Sequence, residues 1–199
     1  MLKIQSILLL SLMLTLISCG KAEGEGTQSD GLADSDHRVF ATSSSYSGNM
    51  GGLSGADSNC QSAASAAGLT RTYKAILSDS GNDAEDRLII SGEVYIIDSL
   101  DNSNLVVNSG VALWNTDSIN LLSSIDLDEN GNTVNDSVWT GTGSDGGVFF
   151  TDNCTNWTSS GGGTDGFTGS SASLNDQWVE SLSEACSNSN RLYCISQKQ

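Results

Sequence analysis

"GLSGADSNCQSAASAAG" (residues 52–68) sets a cysteine, Cys60, in the middle of a stretch built almost entirely from small residues. Ser54 is a candidate N-cap and Gly68 a candidate C′ residue, which predicts a helix over residues 54–67. Ala56, Cys60, Ala63, Ala64 and Ala67 recur at helical spacing, so that helix can approach a neighbour closely. The next cysteine, Cys154, lies far down the chain. The partner of Cys60 therefore decides which distant segments are tied together.

The 199 residues suffice for one globular domain plus accessory segments. Acidic residues outnumber basic ones 24 to 8, a formal charge of −16, which disfavours nucleic acid and anionic membrane surfaces as partners. Proline is absent, so turns fall to the 22 glycines and to Asn, Asp and Ser. At the start, Lys3 precedes an apolar run from Ile7 to Ile17, too short to span a bilayer and of the length of a secretory signal core. Leu16-Ile17-Ser18-Cys19 resembles the lipobox of bacterial lipoproteins. The resemblance implies a signal peptide over residues 1–18 and lipidation of Cys19; the other reading is an ordinary signal with an incidental cysteine. Several acyl chains, at roughly 0.8 kcal/mol per buried methylene, would anchor the protein stably. The polar, acidic stretch "GKAEGEGTQSDGLADSD" (residues 20–36) reads as a flexible tether with a reach of about 23 Å, so residues 19–36 form one accessory segment. The expected location is exported and lipid-anchored, in the outer membrane at the cell surface.

Four cysteines remain: Cys60, Cys154, Cys186 and Cys194. An even number in an exported domain points to disulfides, and three pairings are open. Metal ligation is the weaker reading, because the chain has no CxxC pair and His37 is its one histidine. Cys186 and Cys194 flank the turn-rich "SNSN" (residues 187–190), so each is expected to pair elsewhere. A nested arrangement would tie the first helix to the last strand and close the late loop separately. Strands are predicted in "HRVFATSSS", "TYKAILSD", "EVYIID", "NLVVN", "SVWTG" and "NRLYCIS", with a helical turn in "DAEDRLI". "GGVFFTDNCTNWTS" reads as extended and "SSGGGTDGFTGSSA" (residues 159–172) as a long flexible loop. The fold class expected is α+β, one domain over residues 37–197.

"SGNMGGLSGADSNCQSAASAAGLTRTYKAILSD" (residues 47–79), "VWTGTGSDG" (138–146), "NCTNW" (153–157) and "ACSNSNRLYCIS" (185–196) resemble, in order, the endostatin domain of certain collagens. That domain is a compact variant of the C-type lectin-like fold. Its resemblance implies two nested disulfides, Cys60–Cys194 and Cys154–Cys186. Bacterial forms occur in the leptospiral endostatin-like surface lipoproteins. Membership implies binding of host extracellular-matrix proteins such as laminin and fibronectin, or of complement regulators such as factor H, as an adhesin acting in complement evasion. Zinc and heparin binding do not carry over: His37 stands alone, and the four domain arginines (Arg38, Arg71, Arg87, Arg191) lie in an acidic background. Nor can a proline-free chain contain the Glu-Pro-Asn loop of calcium-dependent lectins.

Candidate chemistry is sparse. In "DLDENGN" (residues 126–132), Asp126, Asp128 and Asn130 occupy the first, third and fifth positions of a calcium loop, making a weak calcium candidate. The twelfth position is Ser137, and Asn130-Gly131 is equally a hairpin turn signal. No catalytic residue is expected: a hydrolytic triad needs a base, and His37 sits at the domain edge. Asp83, Glu85 and Asp86 read as a solvated turn. Trp139 and Trp157 are expected in the core, with Trp114 and Trp178 open as binding anchors. No enzyme activity and no cofactor are expected. The alternatives are a glycan-binding lectin-like module and a structural envelope lipoprotein.

Overall fold

A computed structural model describes residues 32–97, 104–114 and 121–198. The signal peptide, Cys19 and residues 20–31 of the tether lie outside the described residues. No described helix is long and apolar enough to cross a membrane.

In chain order the elements are β1 (His37–Ala41), α1 (Gly52–Ala66), β2 (Tyr73–Ala75), α2 (Ala84–Arg87), β3 (Val94–Ile96), β4 (Leu105–Val107), β5 (Ser137–Trp139), β6 (Asp165–Ser170), β7 (Leu182–Ala185) and β8 (Arg191–Ser196). The domain is mixed α+β and mostly sheet. Strand β8 is its centre. It runs antiparallel to β1, with Val39 opposite Ile195, and on its other edge meets β2 antiparallel and β5 parallel. The sheet order is β4-β3-β1-β8-β5-β6-β7, with β2 alongside β8.

Alternation along β8 sends its side chains to two cores, as a period of two dictates. Leu192 and Cys194 join Phe40, Tyr73, Ala75, Trp139 and Trp157 under α1. Tyr193 and Ile195 join Val39, Ile76, Val138 and Trp178 on the opposite face. Ala56, Cys60 and Ala64, at four-residue steps, are the buried line of α1. Because none is larger than cysteine, the helix lies close enough for Cys60 to bond Cys194, with Cα atoms 5.4 Å apart. Cys154 bonds Cys186, so the pairing is nested. Asp57 adds a polar clamp, accepting from the Ala75 amide at 2.9 Å and from Arg87 Nη2 at 2.7 Å on both carboxylate oxygens.

Several local expectations give way. The helix begins before Ser54, with Gly51 at its N-cap in the left-handed region (φ 81) and no side-chain cap. Gly68 (φ 78) does end it as expected, and the Gly68 and Leu69 amides reach Ser65 and Ala64 carbonyls. "TYKAILSD" is a strand over Tyr73–Ala75, and the Ile76 and Ser78 amides go on to bond the Tyr193 and Thr140 carbonyls. The glycine-rich stretch read as a flexible loop contains β6, a strand paired on both sides. Its glycines serve packing: a Cβ on Gly169 would lie 1.9 Å from the Trp178 carbonyl, and one on Gly166 2.6 Å from Cys154 Sγ. Residues 32–36, taken as tether, lie against the domain. Leu32 is buried, and Arg71 donates to the carbonyls of Asp36 at 2.6 Å and Ala33 at 3.2 Å.

Tyr193 is fully buried against Trp178, ring centroids 5.6 Å apart, and its hydroxyl has no hydrogen-bond partner among the described residues. Burial pushes the phenol pKa well above its ordinary value. An unpaired buried hydroxyl keeps its desolvation penalty without a compensating bond. Tyr193→Phe is therefore expected to raise stability by up to about 1 kcal/mol, read from the midpoint of urea unfolding. A loss of stability would mean that the hydroxyl is satisfied in solution.

Candidate functional site

The calcium-loop pattern folds into a turn that satisfies its own carboxylate. Asp128 is buried, and its Oδ1 accepts from the amides of Asn130 at 2.8 Å and Asn132 at 2.9 Å, while Asn132 Nδ2 reaches both oxygens. Burial acts to raise the Asp128 pKa, but these hydrogen bonds outweigh it and hold the carboxyl below its usual range. Asp126 contributes its backbone carbonyl to Val134 across the hairpin, and Asn130 is exposed. The Asp128 carboxylate, the third position of that pattern, is thus already engaged by the turn's own backbone and side-chain amides. Among the described residues no group of three His, Cys, Asp or Glu side chains could hold a metal.

His37 is fully buried at the start of β1. Its Nδ1 lies 2.7 Å from the Ser196 carbonyl and so carries the proton, leaving Nε2 to accept from the Ser91 amide at 3.2 Å. This is a neutral imidazole bridging β1, β8 and the approach to β3. Burial lowers its pKa, with the Ser196 bond only partly opposing, Arg71 and Lys198 acting with burial and Asp36 against it. A lowered folded pKa means the unfolded chain binds the proton more readily. The stability from His37 is therefore complete above its unfolded value near 6.5 and lost as pH falls below it. Thermal midpoints should drop as pH falls below about 6.5, and His37→Gln should flatten that slope. An unchanged slope in the variant would assign the drop to carboxylates instead.

A different feature stands out on the loops between β5 and β7. Cys154, Thr155, Asn156 and Trp157 all have positive φ (51, 55, 55 and 59), one helical turn of left-handed hand. For L-residues this conformation costs roughly 1–2 kcal/mol each, so surrounding bonds must hold it. They do. Asn153 accepts from the Asn156 amide at 2.9 Å, Asn156 Oδ1 accepts from the Ser80 amide at 3.0 Å, and Trp157 Nε1 donates to the Ser78 carbonyl at 2.7 Å. Trp139 packs on Trp157 at 5.8 Å, and the Cys154–Cys186 bond closes the base.

On this rigid base sits an aromatic face. Phe150 (φ 51) is 74% exposed, meets Phe149 edge-on at 4.4 Å, and Phe149 lies 4.2 Å from Phe167 of β6. Val148, next to Phe149 in sequence, is a further exposed apolar residue. Of the tryptophans, Trp139, Trp157 and Trp178 are fully buried, and Trp114 is half-buried and stacked on Trp178 at 6.2 Å. The open anchor is therefore a phenylalanine that the sequence reading passed over as extended chain. The signal available was "GGVFFTDN": two adjacent aromatics beside paired glycines, where strand alternation would bury one and a turn exposes it.

A second hollow, of about 300 Å3, is lined by Ser45, Asp136, Ser137, Ser189, Asn190 and Arg191. Arg191 is held by Asp136 at 2.7 Å, by the Thr42 carbonyl at 2.8 Å and by that of Ser43. Glu184 Oε2 accepts from the side-chain Nδ2 groups of Asn188 and Asn190 at 2.9 and 3.1 Å. Burial acts to raise the Glu184 pKa, but these bonds prevail and lower it.

No curated protein matches the chain. The family described as "Protein of unknown function (DUF1554)" matches residues 43–174, about two thirds of the chain, spanning α1, the left-handed turn, the aromatic face and β6, and the chain belongs to that family.

Proposed function

We propose that the chain is a non-catalytic capture protein: an exported lipoprotein anchored through Cys19 that binds host proteins at the cell surface. Its domain is read as the endostatin-like variant of the C-type lectin-like fold. Supporting that reading are β1 lying against β8, α1 bonded to β8, and a long excursion of loops between β4 and β7. The partners are extracellular-matrix proteins of the laminin or fibronectin kind, or complement regulators such as factor H.

The observation that carries capture is Phe150, 74% exposed and four residues before the disulfide-bonded Cys154. A large aromatic on a rigid base loses little conformational entropy on binding, which is why such residues dominate interface hot spots. The test immobilises the chain from Cys19 onward and exposes it to serum and matrix extract, beside Phe150→Ala and a reduced, alkylated form. Specific recovery that falls with either change supports the reading; background alone from the native chain removes it. Palmitate incorporation lost in Cys19→Ala, and removal by protease from intact cells, would establish anchor and surface exposure.

The polar hollow beside Arg191 favours a second reading, a glycan-binding module. Its hydroxyl, amide and carboxylate lining suits a hydroxyl-rich neutral ligand, and its volume of about 300 Å3 is at the small end of ligand pockets, roughly 300–1,000 Å3. A glycan array decides it, because silence there ends the idea.

A further inference from the structure

Between Arg87 and Arg191 the chain carries 14 acidic residues and no lysine, arginine or histidine. All of β3 to β7 and the aromatic face fall in that interval. Around Phe149 two carboxylates converge: the point where a Cβ on Gly143 would lie is 3.0 Å from Asp145 Oδ1, 3.1 Å from the Phe149 ring and 3.7 Å from Glu180 Oε2. Asp145 accepts from the Gly147 amide at 3.0 Å and Glu180 from the Ser144 amide at 2.9 Å, so both are positioned by backbone. Neither has an ion-pair partner among the described residues. Asp152, two residues past Phe150, accepts from Ser183 Oγ at 2.7 Å on the same side.

We infer that the face made by Phe149, Phe150 and Phe167, flanked by Asp145, Asp152 and Glu180, docks an arginine-bearing basic segment of a protein partner. The inference rests on the capture reading and names the chemistry it uses. An exposed ring presents a negative π face that attracts a cation, and a guanidinium can stack on it while its edge bonds a carboxylate in two-pronged fashion. A lysine ammonium cannot do both, which makes arginine the better fit. Anionic membranes and nucleic acids are repelled by the same field, whereas a basic segment is steered toward it.

The test measures binding of an oligo-arginine peptide, and of its uncharged citrulline counterpart, to the mature chain by interferometry. Phe150→Ala should weaken oligo-arginine binding about tenfold, and Asp145→Asn with Glu180→Gln should weaken it by a similar factor. The citrulline peptide should not bind. Since Phe150 is 74% exposed, its truncation leaves the fold intact, which a matched melting curve checks. Equal binding by wild type and Phe150→Ala, or equal binding of the two peptides, overturns the inference. A serum or matrix partner captured equally at low and high salt, and equally by Phe150→Ala, also overturns it while leaving capture standing. Oligo-arginine binding as expected, with no partner recovered, sinks the capture reading and leaves the surface chemistry supported.

Discussion

Replacing Cys60 and Cys194 together by alanine is expected to remove up to about 5 kcal/mol of stability, the chain-entropy value for closing so long a loop. The bond joins residues 134 apart in sequence, both fully buried, and pins α1 to the central strand. Domains of this size are stable by roughly 5–15 kcal/mol in all, so the doubly substituted chain should be largely unfolded at body temperature. Strained or residually structured references reduce such values in practice, to about 2–5 kcal/mol. Equilibrium urea unfolding of wild type and variant reads the difference directly. A loss under about 1 kcal/mol would mean that helix packing alone holds α1, through the line of Ala56 and Ala64 and the Asp57–Arg87 clamp. The alanine pair is preferred to serine because a buried hydroxyl would add its own penalty.

Trp139→Ala should cost about 3–5 kcal/mol, the usual range for deleting a fully buried indole. The ring is 0% exposed, packs on Trp157 at 5.8 Å, and donates from Nε1 to the Tyr46 carbonyl at 2.7 Å. It also rests on Gly166 of β6, where an added Cβ would come within 2.9 Å of its Cζ3. The indole thus fills the space between β5, β6 and the left-handed turn. Its loss should loosen that turn first, so amides of residues 153–159 should lose hydrogen-exchange protection more than those of β1. Trp139→Phe keeps much of the volume and forfeits the Tyr46 bond, and should cost appreciably less, about 1–3 kcal/mol. If alanine and phenylalanine variants behave alike, the Tyr46 bond rather than the packing holds this corner.

Both effects concern contacts that differ in how legible they were. The alternation of "NRLYCIS" announced β8 and the shared orientation of Leu192 and Cys194, because a period of two is a local property. The small residues of α1 announced a helix able to approach closely for the same reason. By contrast, "SSGGGTDGFTGSSA" has the composition of a loop, yet Gly166 and Gly169 sit in β6 because Cys154, Trp139 and the Trp178 carbonyl leave no room for a side chain. Glycine's local preference was overridden by neighbours supplied from elsewhere in the chain. In "DLDENGN", by contrast, the local Asn130-Gly131 turn signal is met: Gly131 takes φ 81, and Asn132 supplies hydrogen bonds to Asp128 that close the turn. Trp178, open as an anchor on its sequence context, is buried against Tyr193 by the way the opposite core closes.

By itself the sequence determined the α+β class, the first helix, the strands β1 to β5 and β8, the one-sided charge and the four cysteines of the domain. These follow from periodicity, composition and counting, which need no knowledge of neighbours. Only the tertiary structure decided that β6 is a strand, that four residues from Cys154 to Trp157 take the left-handed hand, and that Phe150 stands outside while three tryptophans lie within. Exposure and tolerated strain depend on which surfaces meet across the fold. Those meetings join residues far apart in sequence, so no local pattern encodes them.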